Sequence, residues 1–357
     1  MKRLLALDIL RGITVAGMII VNNGYGDTFA PLLHSQWNGC TPCDLVFPFF
    51  LFIMGVSCYL SLSKTNFTAT KSTIMKIAKR AVLILLVGWA IQWWNLIWKG
   101  DWLPFDHLRL LGVLPRIAIC YFVVSLIAIT INHKYIKWLI VALLAIYGAI
   151  LLLGNGYAND ETNILVIADR AIFGEAHLYT KAPVDPEGFI SSISAIAHTL
   201  IGFLIGRLIK ETKDNGDKVQ KLFVAGFMLF VAGYLLTYGF EPNKRIWSPS
   251  YTLLTTGGAT MLLSSLIYII DIKNGGNQTK WTTFFHVFGV NPLALYVLAE
   301  MLEKPIHVLG IGESYKNCID VVMPYSYAAS LIYALSYMLL IFGVGYVLYR
   351  KKIFIKL

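Results

Sequence analysis

His34 and Asp44 give the clearest chemical signal in the sequence, because an imidazole and a carboxylate lie on either side of a short turn. A neutral imidazole can take a proton from an amine or an alcohol near pH 7, and a carboxylate can fix its tautomer. The same imidazole could instead attack a thioester directly. A single pair of this kind is more commonly a surface or packing histidine, and Asp44 could simply cap the helix that follows it. The residues alone leave these alternatives open.

Charged residues inside apolar segments are the next signal. Asp8 and Arg11 lie close together in the first apolar segment, and a helix would place them on one face. Arg116 lies within the fourth such segment and requires an anionic partner from the protein or from a ligand. Each charge of this kind costs roughly 2.5–3.5 kcal/mol to insert into a membrane. All three are therefore candidates for function, and a structural ion pair is the alternative for Asp8 and Arg11.

Cys40 and Cys43 have the spacing of a redox-active cysteine pair. The sequence around them lacks the alternation of strands and helices that is typical of thioredoxin-like sites, which argues against redox catalysis. A disulfide on an oxidising side of a membrane is the alternative. No set of residues has the spacing of a zinc site, and we expect no metal.

The elements that must position these residues follow from composition. Hydrophobic residues make up 57% of the chain and charged residues only 14%, whereas soluble domains are about one quarter charged. The apolar residues form long runs, and roughly 20 such residues span a bilayer as a helix. Membrane-spanning strands would alternate polar and apolar residues, and these segments do not. We therefore expect an all-α, polytopic transmembrane bundle of about ten helices.

One transmembrane domain is expected over residues 1–357, with a long outer loop over Gly154–Gly188. The first apolar run carries Asp8 and Arg11 and no clear cleavage site follows it, so we interpret it as a retained helix and not a signal peptide. The expected spans are Leu4–Val21, Asp44–Leu62, Ala81–Trp98, Leu110–Ile131, Lys137–Leu153, Phe189–Ile209, Leu222–Tyr238, Tyr251–Asp271, Phe284–Glu300 and Val321–Tyr349.

The orientation follows from the basic residues. With the N-terminus inside, most of the 30 Lys and Arg residues fall on the cytoplasmic side, including Lys2, Arg3 and Lys356. Both termini are then cytoplasmic, and His34 lies on the opposite side. The net charge of +10 is thereby explained as a topology signal, and we expect no nucleic-acid partner. A secondary transporter is the rival class, but the sequence shows no pair of broken helices in matching halves.

With these residues laid out, the sequence resembles the heparan-α-glucosaminide N-acetyltransferase family, including its bacterial members, nearly from end to end. The first shared blocks are Leu7-Asp8-Ile-Leu-Arg11-Gly12, Val21-Asn22, the stretch from His34 to Gly55, and Leu110 to Phe122. The later ones are His177-Leu-Tyr179, Asp185-Pro186-Glu187-Gly188, Trp247-Ser248-Pro-Ser250-Tyr251, Gly289-Val-Asn291-Pro292 and Tyr349-Arg350-Lys351-Lys352.

The resemblance implies a membrane-embedded acyltransferase that moves an acetyl group from cytoplasmic acetyl-CoA to the amine of a glucosamine-type sugar on the far side. It implies that His34 is the catalytic histidine and Asp44 its acidic partner. It also implies a role for Asn22, beside Asn23, which could donate a hydrogen bond to the developing oxyanion. We expect the enzyme in a bacterial cytoplasmic (inner) membrane, with a homodimer as an open alternative. Cys40 and Cys43 depart from the family pattern.

Binding residues are expected on both sides. Arginine and lysine side chains suit the phosphates of CoA, and the candidates are Arg11, Lys76, Lys79, Arg80 and Arg116. Aromatic rings, carboxylates and amides suit a sugar, and the candidate acceptor contacts are Trp37, Asn38, Asp185, Glu187, Trp247, Ser248 and Asn291. We expect no large N-terminal luminal domain, which favours a small amino sugar over a heparan-type polymer. An acyltransferase that acts on a lipid or a cell-envelope polysaccharide is the remaining alternative.

Overall fold

The computed structural model describes residues 4–355, and its regular structure is helical, with no β-strand among those residues. Lys2, Arg3 and Lys356, which contribute to the predicted orientation, lie outside the described residues. The first seven helices are α1 (Leu5–Asn22), α2 (Val46–Leu62), α3 (Lys71–Ile97), α4 (Val113–Thr130), α5 (Ile136–Leu153), α6 (Ile164–Phe173) and α7 (Ser192–Glu211). The next six are α8 (Asn215–Leu236), α9 (Pro249–Ile267), α10 (Lys280–Val290), α11 (Pro292–Val308), α12 (Ile311–Val322) and α13 (Ser326–Arg350).

The prediction of an all-helical membrane protein is confirmed. Each predicted segment falls on helical structure, but Phe284–Glu300 runs across the break between α10 and α11, and α3, which contains the predicted span Ala81–Trp98, is not among the helices that qualify as spans. Among the described residues, eight helices are long and apolar enough to cross a membrane, or nine if α10 and α11 form one span. That pair bends by 78° where Pro292 begins the new helix, because proline has no backbone N–H to continue the previous one. Helix α3 starts ten residues before the predicted Ala81, and Lys76 and Lys79 lie in its first turns.

Helices α1, α2, α7 and α9 form the buried centre of the bundle, and small residues let their backbones approach. A Cβ atom at Gly55 of α2 would lie 2.1 Å from the carbonyl oxygen of Thr199 on α7. A Cβ atom at Gly202 would lie 2.3 Å from the carbonyl oxygen of Phe52. Only glycine permits this contact, which holds α2 in place along α7. The loop that enters α2 is thereby anchored to the rigid part of the fold.

Helix α1 defines two ends of the molecule. Arg11 lies near its beginning, and the loop that carries His34 follows its last residue, Asn22. At 1.5 Å per residue, the rise from Arg11 to Asn22 is about 16 Å. We refer to these as the Arg11 end and the His34 end. Their orientation relative to the cytoplasm stays a prediction.

Candidate active site

The turn that leads into α2 fixes the carboxylate of Asp44. Thr41 precedes a short 3-10 turn, Pro42–Leu45, and its backbone N–H donates to Oδ2 of Asp44 at 3.1 Å. The backbone N–H of Ser35 donates to the same oxygen at 3.1 Å. The single hydroxyl hydrogen of Thr41 lies between Oδ2 at 3.1 Å and the carbonyl of Leu33 at 2.7 Å. Asp44 is fully buried. With Oδ2 held by two backbone donors, Oδ1 is the oxygen that is left for another partner.

That partner is His34, whose Nδ1 lies 2.8 Å from Oδ1 of Asp44. A carboxylate can only accept, so Nδ1 carries the proton when this bond is formed. The Nε2 atom then keeps its lone pair, as a general base or nucleophile requires. The side chain of His34 is 52% exposed while that of Asp44 is 0% exposed. A buried acid thus orients a histidine that a substrate can reach.

Lys244 is a third member of this group that the sequence analysis missed. Its Nζ lies 3.0 Å from Nδ1 and 3.4 Å from Nε2 of His34, and 3.5 Å from Oδ1 of Asp44. Lys244 lies in the loop between α8 and α9, and its side chain is only 15% exposed. Its ammonium balances the buried carboxylate and competes with it for Nδ1, since lysine can only donate. Nothing in residue spacing links positions 34 and 244.

The two cysteines of the turn are both free thiols. Cys43 is buried with its Sγ 3.1 Å from Nδ1 of His34, whereas Cys40 is exposed. The predicted disulfide alternative is therefore not the state that this structure shows.

Trp247 and Ser248 belong to the packing that holds Asp44 in place. Trp247 is fully buried, and its ring packs edge-on against those of Phe47 and Tyr251. The Tyr251 hydroxyl donates to the backbone carbonyl of Asp44 at 2.5 Å. The Ser248 hydroxyl is the cap of α9 and accepts from the Tyr251 N–H at 3.3 Å. Both predicted acceptor contacts are thus buried in the packing that holds Asp44, and neither is presented to a sugar.

Arg116 also differs from its predicted role. It lies in the first turn of α4, at the His34 end, and is 1% exposed. Its guanidinium donates to the carbonyls of Pro186 at 3.1 Å and Gly188 at 2.8 Å, and to the hydroxyl of Ser191. Carbonyl dipoles therefore satisfy this buried charge. Arg116 fixes the loop before α7 and is not placed to bind CoA phosphates at the other end.

Asp185 and Glu187 form an ion-pair network with Arg109. The guanidinium of Arg109 lies 2.6 Å from Asp185 and 2.7 Å from Glu187, and both carboxylates are buried. The backbone N–H of Tyr179 also donates to Asp185 at 2.9 Å. Both acids are paired within the protein, so a structural role accounts for them.

Trp37 and Asn38 join outer loops to each other. The Trp37 Nε1–H donates to the carbonyl of Tyr157 at 2.9 Å. The Asn38 amide donates to Glu241 and accepts from Asn243 at 3.0 Å. These bonds hold the loop of His34 against the loops that follow α5 and α8.

Asn291 lies at the Arg11 end, away from His34. Its amide donates to the carbonyl of Ile353 at 2.9 Å, and its oxygen accepts from the N–H of Ile355 at 2.8 Å. The neighbouring carbonyl of Gly289 accepts from Arg11 at 3.3 Å. Asn291 therefore binds the C-terminal segment, at the end opposite to the one where the acceptor is expected.

Asn22, predicted to bind the developing oxyanion, hydrogen-bonds to a glutamate of the protein. Its amide nitrogen donates to Oε1 of Glu300 on α11 at 3.3 Å. The amide of Asn23 donates to the carbonyl of Ile19 at 2.7 Å. Neither asparagine has a hydrogen bond to His34 in the part of the chain that the structure describes.

A polar cavity of about 510 Å³ opens at the Arg11 end. Its polar lining comprises Asp8, Arg11, Ser57, Ser61, Ser63, Lys64 and Lys210. Arg11 donates to Asp8 at 2.8 Å and to the hydroxyl of Ser57 at 2.9 Å. Of the predicted phosphate contacts only Arg11 lines this cavity; Lys76, Lys79 and Arg80 are exposed on α3. No cluster of three or more potential metal ligands occurs among residues 4–355.

Comparison with known proteins agrees with this architecture. The family model described as heparan-alpha-glucosaminide N-acetyltransferase, catalytic, matches residues 3–229. The chain is 29% identical to the heparan-alpha-glucosaminide N-acetyltransferase of Mus musculus, with 100% of the chain and 61% of the relative covered. It is also 29% identical to that of Homo sapiens, with 99% and 60% covered. The chain therefore spans about three fifths of the length of the curated relatives it matches.

Proposed function

Because the chain belongs to the heparan-α-glucosaminide N-acetyltransferase family, we propose that it transfers an acetyl group from acetyl-CoA to the amine of a glucosamine-type amino sugar. The observation that carries this proposal is the half-exposed His34 oriented by the buried carboxylate of Asp44 at 2.8 Å. We place the enzyme in a bacterial inner membrane with the Arg11 end towards the cytoplasm, as the distribution of basic residues favours.

The chemistry is direct transfer. As the amine nitrogen attacks the thioester carbonyl, Nε2 of His34 takes a proton from the amine. General-base catalysis of this kind raises the rate by about 10²–10⁴-fold. The new C–N bond forms, the C–S bond breaks, and the CoA thiolate leaves and is protonated. Asp44 stabilises the imidazolium that forms meanwhile, as its 2.8 Å contact with Nδ1 allows. A transient acetyl-histidine is the alternative, but water at a half-exposed site would hydrolyse it.

Lys244 replaces Asn22 as the proposed stabiliser of negative charge on the carbonyl oxygen. The Asn22 amide is engaged by Glu300, whereas the Lys244 ammonium lies 3.4 Å from Nε2 of His34. A fixed positive charge beside a developing oxyanion is the usual source of electrostatic stabilisation in acyl transfer.

The phosphates of CoA fit the cavity at the Arg11 end. Arg11, Lys64 and Lys210 supply positive charge there, and three serine hydroxyls supply further donors. From this cavity the slim pantetheine arm would follow α1 towards His34. The exposed side chains of Lys76, Lys79 and Arg80 would instead interact with the membrane surface.

The described residues do not show the paired helix breaks that the transporter alternative requires. Such folds pair two discontinuous helices in related halves, and the described residues contain one bent pair, α10 and α11. The bend lies at the Arg11 end beside the C-terminal segment that bonds to Asn291.

The test is acetyl transfer by purified protein in detergent or nanodiscs. We expect acetyl-CoA and glucosamine to yield free CoA and N-acetylglucosamine, both quantified by mass spectrometry. His34→Ala should lower turnover by about 10²–10⁴-fold. His107→Ala is the matched control, because His107 is also a partly exposed histidine bonded to carboxylates, Asp101 and Asp106. Wild-type turnover in His34→Ala would refute the proposed centre.

The same assay separates the alternatives that remain. Acetyl-CoA alone should leave His34 unmodified, since only the carrier route adds an acetyl group to it. An amine-bearing phospholipid that is acetylated in place of glucosamine would move the acceptor to the lipid class.

A further inference from the structure

A second polar cavity lies at the His34 end, between the end of α1, the end of α3, the start of α4 and the middle of α11. Its volume is about 200 Å³. Its polar groups are the side chains of Asn22, Gln92, Asn95, Arg109, Tyr296 and Glu300. None of the steps above uses Glu300, Gln92 or Asn95. The cavity is small and half of its lining residues are polar, so a small polar ligand suits it better than an apolar one.

Glu300 is an acidic side chain without a basic partner. Its hydrogen-bond partners are the amide of Asn22 at 3.3 Å and Tyr296, and no basic side chain forms an ion pair with it among residues 4–355. Arg109 lines the same cavity, but its guanidinium is taken by Asp185 and Glu187. A carboxylate in an apolar helix without a cation is costly. A cation bound in this cavity would therefore stabilise the ionised form of Glu300.

The other groups in the cavity call for hydrogen-bond donors. Oδ1 of Asn95 is buried and has no hydrogen-bond partner in the described structure. A buried acceptor without a donor costs about 1–3 kcal/mol. On the opposite side, Ile91, Leu114 and Pro115 form an apolar wall. A ligand with one ammonium, several hydroxyls and an apolar ring face would satisfy all three features.

The cavity adjoins the support of the active site. Leu114 and Tyr296, which line it, belong to the same apolar cluster as Phe47 and Tyr251. Tyr251 is the residue whose hydroxyl bonds to the backbone of Asp44. A ligand bound beside Glu300 would thus be separated from the His34 turn by a single cluster of side chains.

We propose that this cavity is the docking subsite for a protonated amino sugar, in which Glu300 is the counter-ion of the ammonium and the amides of Gln92 and Asn95 bind the hydroxyls. This inference rests on the proposed acetyl transfer. A protonated amine is not a nucleophile, so the contact with Glu300 belongs to binding. Transfer follows when the amine reaches His34 and loses its proton.

The experiment compares Glu300→Gln with Glu303→Gln, which removes a carboxylate from the same helix outside the cavity lining. We expect Glu300→Gln to raise KM for glucosamine by tenfold or more, with kcat and the KM for acetyl-CoA within twofold of wild type. Glu303→Gln should leave all three constants near wild type. Gln92→Leu provides a second variant that keeps the charge of Glu300, and it should raise the same KM by a smaller factor.

Direct binding of glucosamine and of glucose makes the result independent of turnover. Wild-type protein should bind glucosamine in preference to uncharged glucose, and Glu300→Gln should lose that preference. An unchanged KM for glucosamine in both cavity variants would overturn the subsite, as would an increase confined to acetyl-CoA. If the wild-type protein acetylates no amino sugar yet binds glucosamine through Glu300, the proposed function fails and the subsite stands.

Discussion

Replacement of Lys244 by methionine tests how the charges around His34 are balanced. The ammonium of Lys244 lies 3.0 Å from Nδ1 of His34. It also lies 3.4 Å from Nε2, the atom that the reacting amine must approach. The ammonium therefore faces the position where the thioester carbonyl oxygen becomes negative in the proposed transfer. Without it, that charge loses a fixed positive charge, and turnover should fall.

The size of this fall can be worked from the 3.4 Å between Nζ and Nε2. Coulomb's law gives about 1.2 kcal/mol for two unit charges at that distance in water, and about 4.9 kcal/mol at an effective dielectric constant of about 20. Loss of one oxyanion-stabilising group typically costs about 2.7–4 kcal/mol, or 10²–10³-fold in kcat, which lies between these two limits. We therefore expect kcat to fall by about 10²–10³-fold.

The assay is kcat with glucosamine at saturating acetyl-CoA. Lys244→Arg should keep most of the wild-type turnover, because it keeps the charge. Arg245→Met is the matched control, since Arg245 is the next residue in the chain and has no hydrogen bond or ion pair with His34. If Lys244→Met keeps the same turnover as Arg245→Met and wild type, the charge argument is refuted.

Three further predictions concern other parts of the molecule. Lys64→Met and Lys210→Met each remove a positive charge from the Arg11-end cavity and should raise the KM for acetyl-CoA several-fold. The increase should be smaller at high salt. An equal increase in Lys79→Met would indicate that the phosphates bind elsewhere. Arg109→Leu leaves the two buried carboxylates that it bridges without a cation, which should lower the unfolding free energy by about 3–5 kcal/mol and the melting temperature with it; an unchanged melting temperature would contradict the network. Burial raises the pKa of Asp169, in the outer helix α6, to about 6, so ionisation costs the folded state stability as pH rises from about 4 through 6. Asp169→Asn keeps Oδ1, which accepts both backbone bonds, and should therefore gain about 2–3 kcal/mol relative to wild type between pH 4 and 7.5; parallel melting curves across this range would disprove the assignment.

Local chemistry explains which parts of the site the sequence could predict. His34 and Asp44 belong to one short loop, and the Thr41 cap that aims the carboxylate lies three residues before it. Such contacts are encoded by spacing, and the apolar runs that become helices are encoded in the same way. Helix bounds such as those of α4 and α5 accordingly fall within a few residues of the predicted ones.

The rest of the site depends on contacts between distant segments. Lys244 reaches His34 only because α8 and α9 return their connecting loop to the end where α1 finished. Tryptophan is a residue type that commonly stacks on sugars, yet tertiary packing buries Trp247 completely. Arg116 was expected to need an anion, and three oxygen acceptors from one loop satisfy it instead. Residue type therefore identified polar side chains that need hydrogen-bond or charge partners. The fold determined which partners they have.

The two cavities together restrict the chemistry of the donor. The cationic cavity contains Arg11 and the other cavity contains Asn22, and about 16 Å of α1 separates them. The helices between these ends pack closely, with α2 and α7 in backbone contact at Gly55 and Gly202. In the proposed transfer, a donor with an anionic head and a slim arm would keep its phosphates at Arg11 and extend its acyl group towards His34. Trp247, in the packing beside the His34 turn, is fully buried and leaves no space of its own for a longer acyl chain. If the donor reaches His34 in this way, the rate of transfer should fall steeply from acetyl-CoA to butyryl-CoA, and equal rates for the two donors would contradict the proposed path.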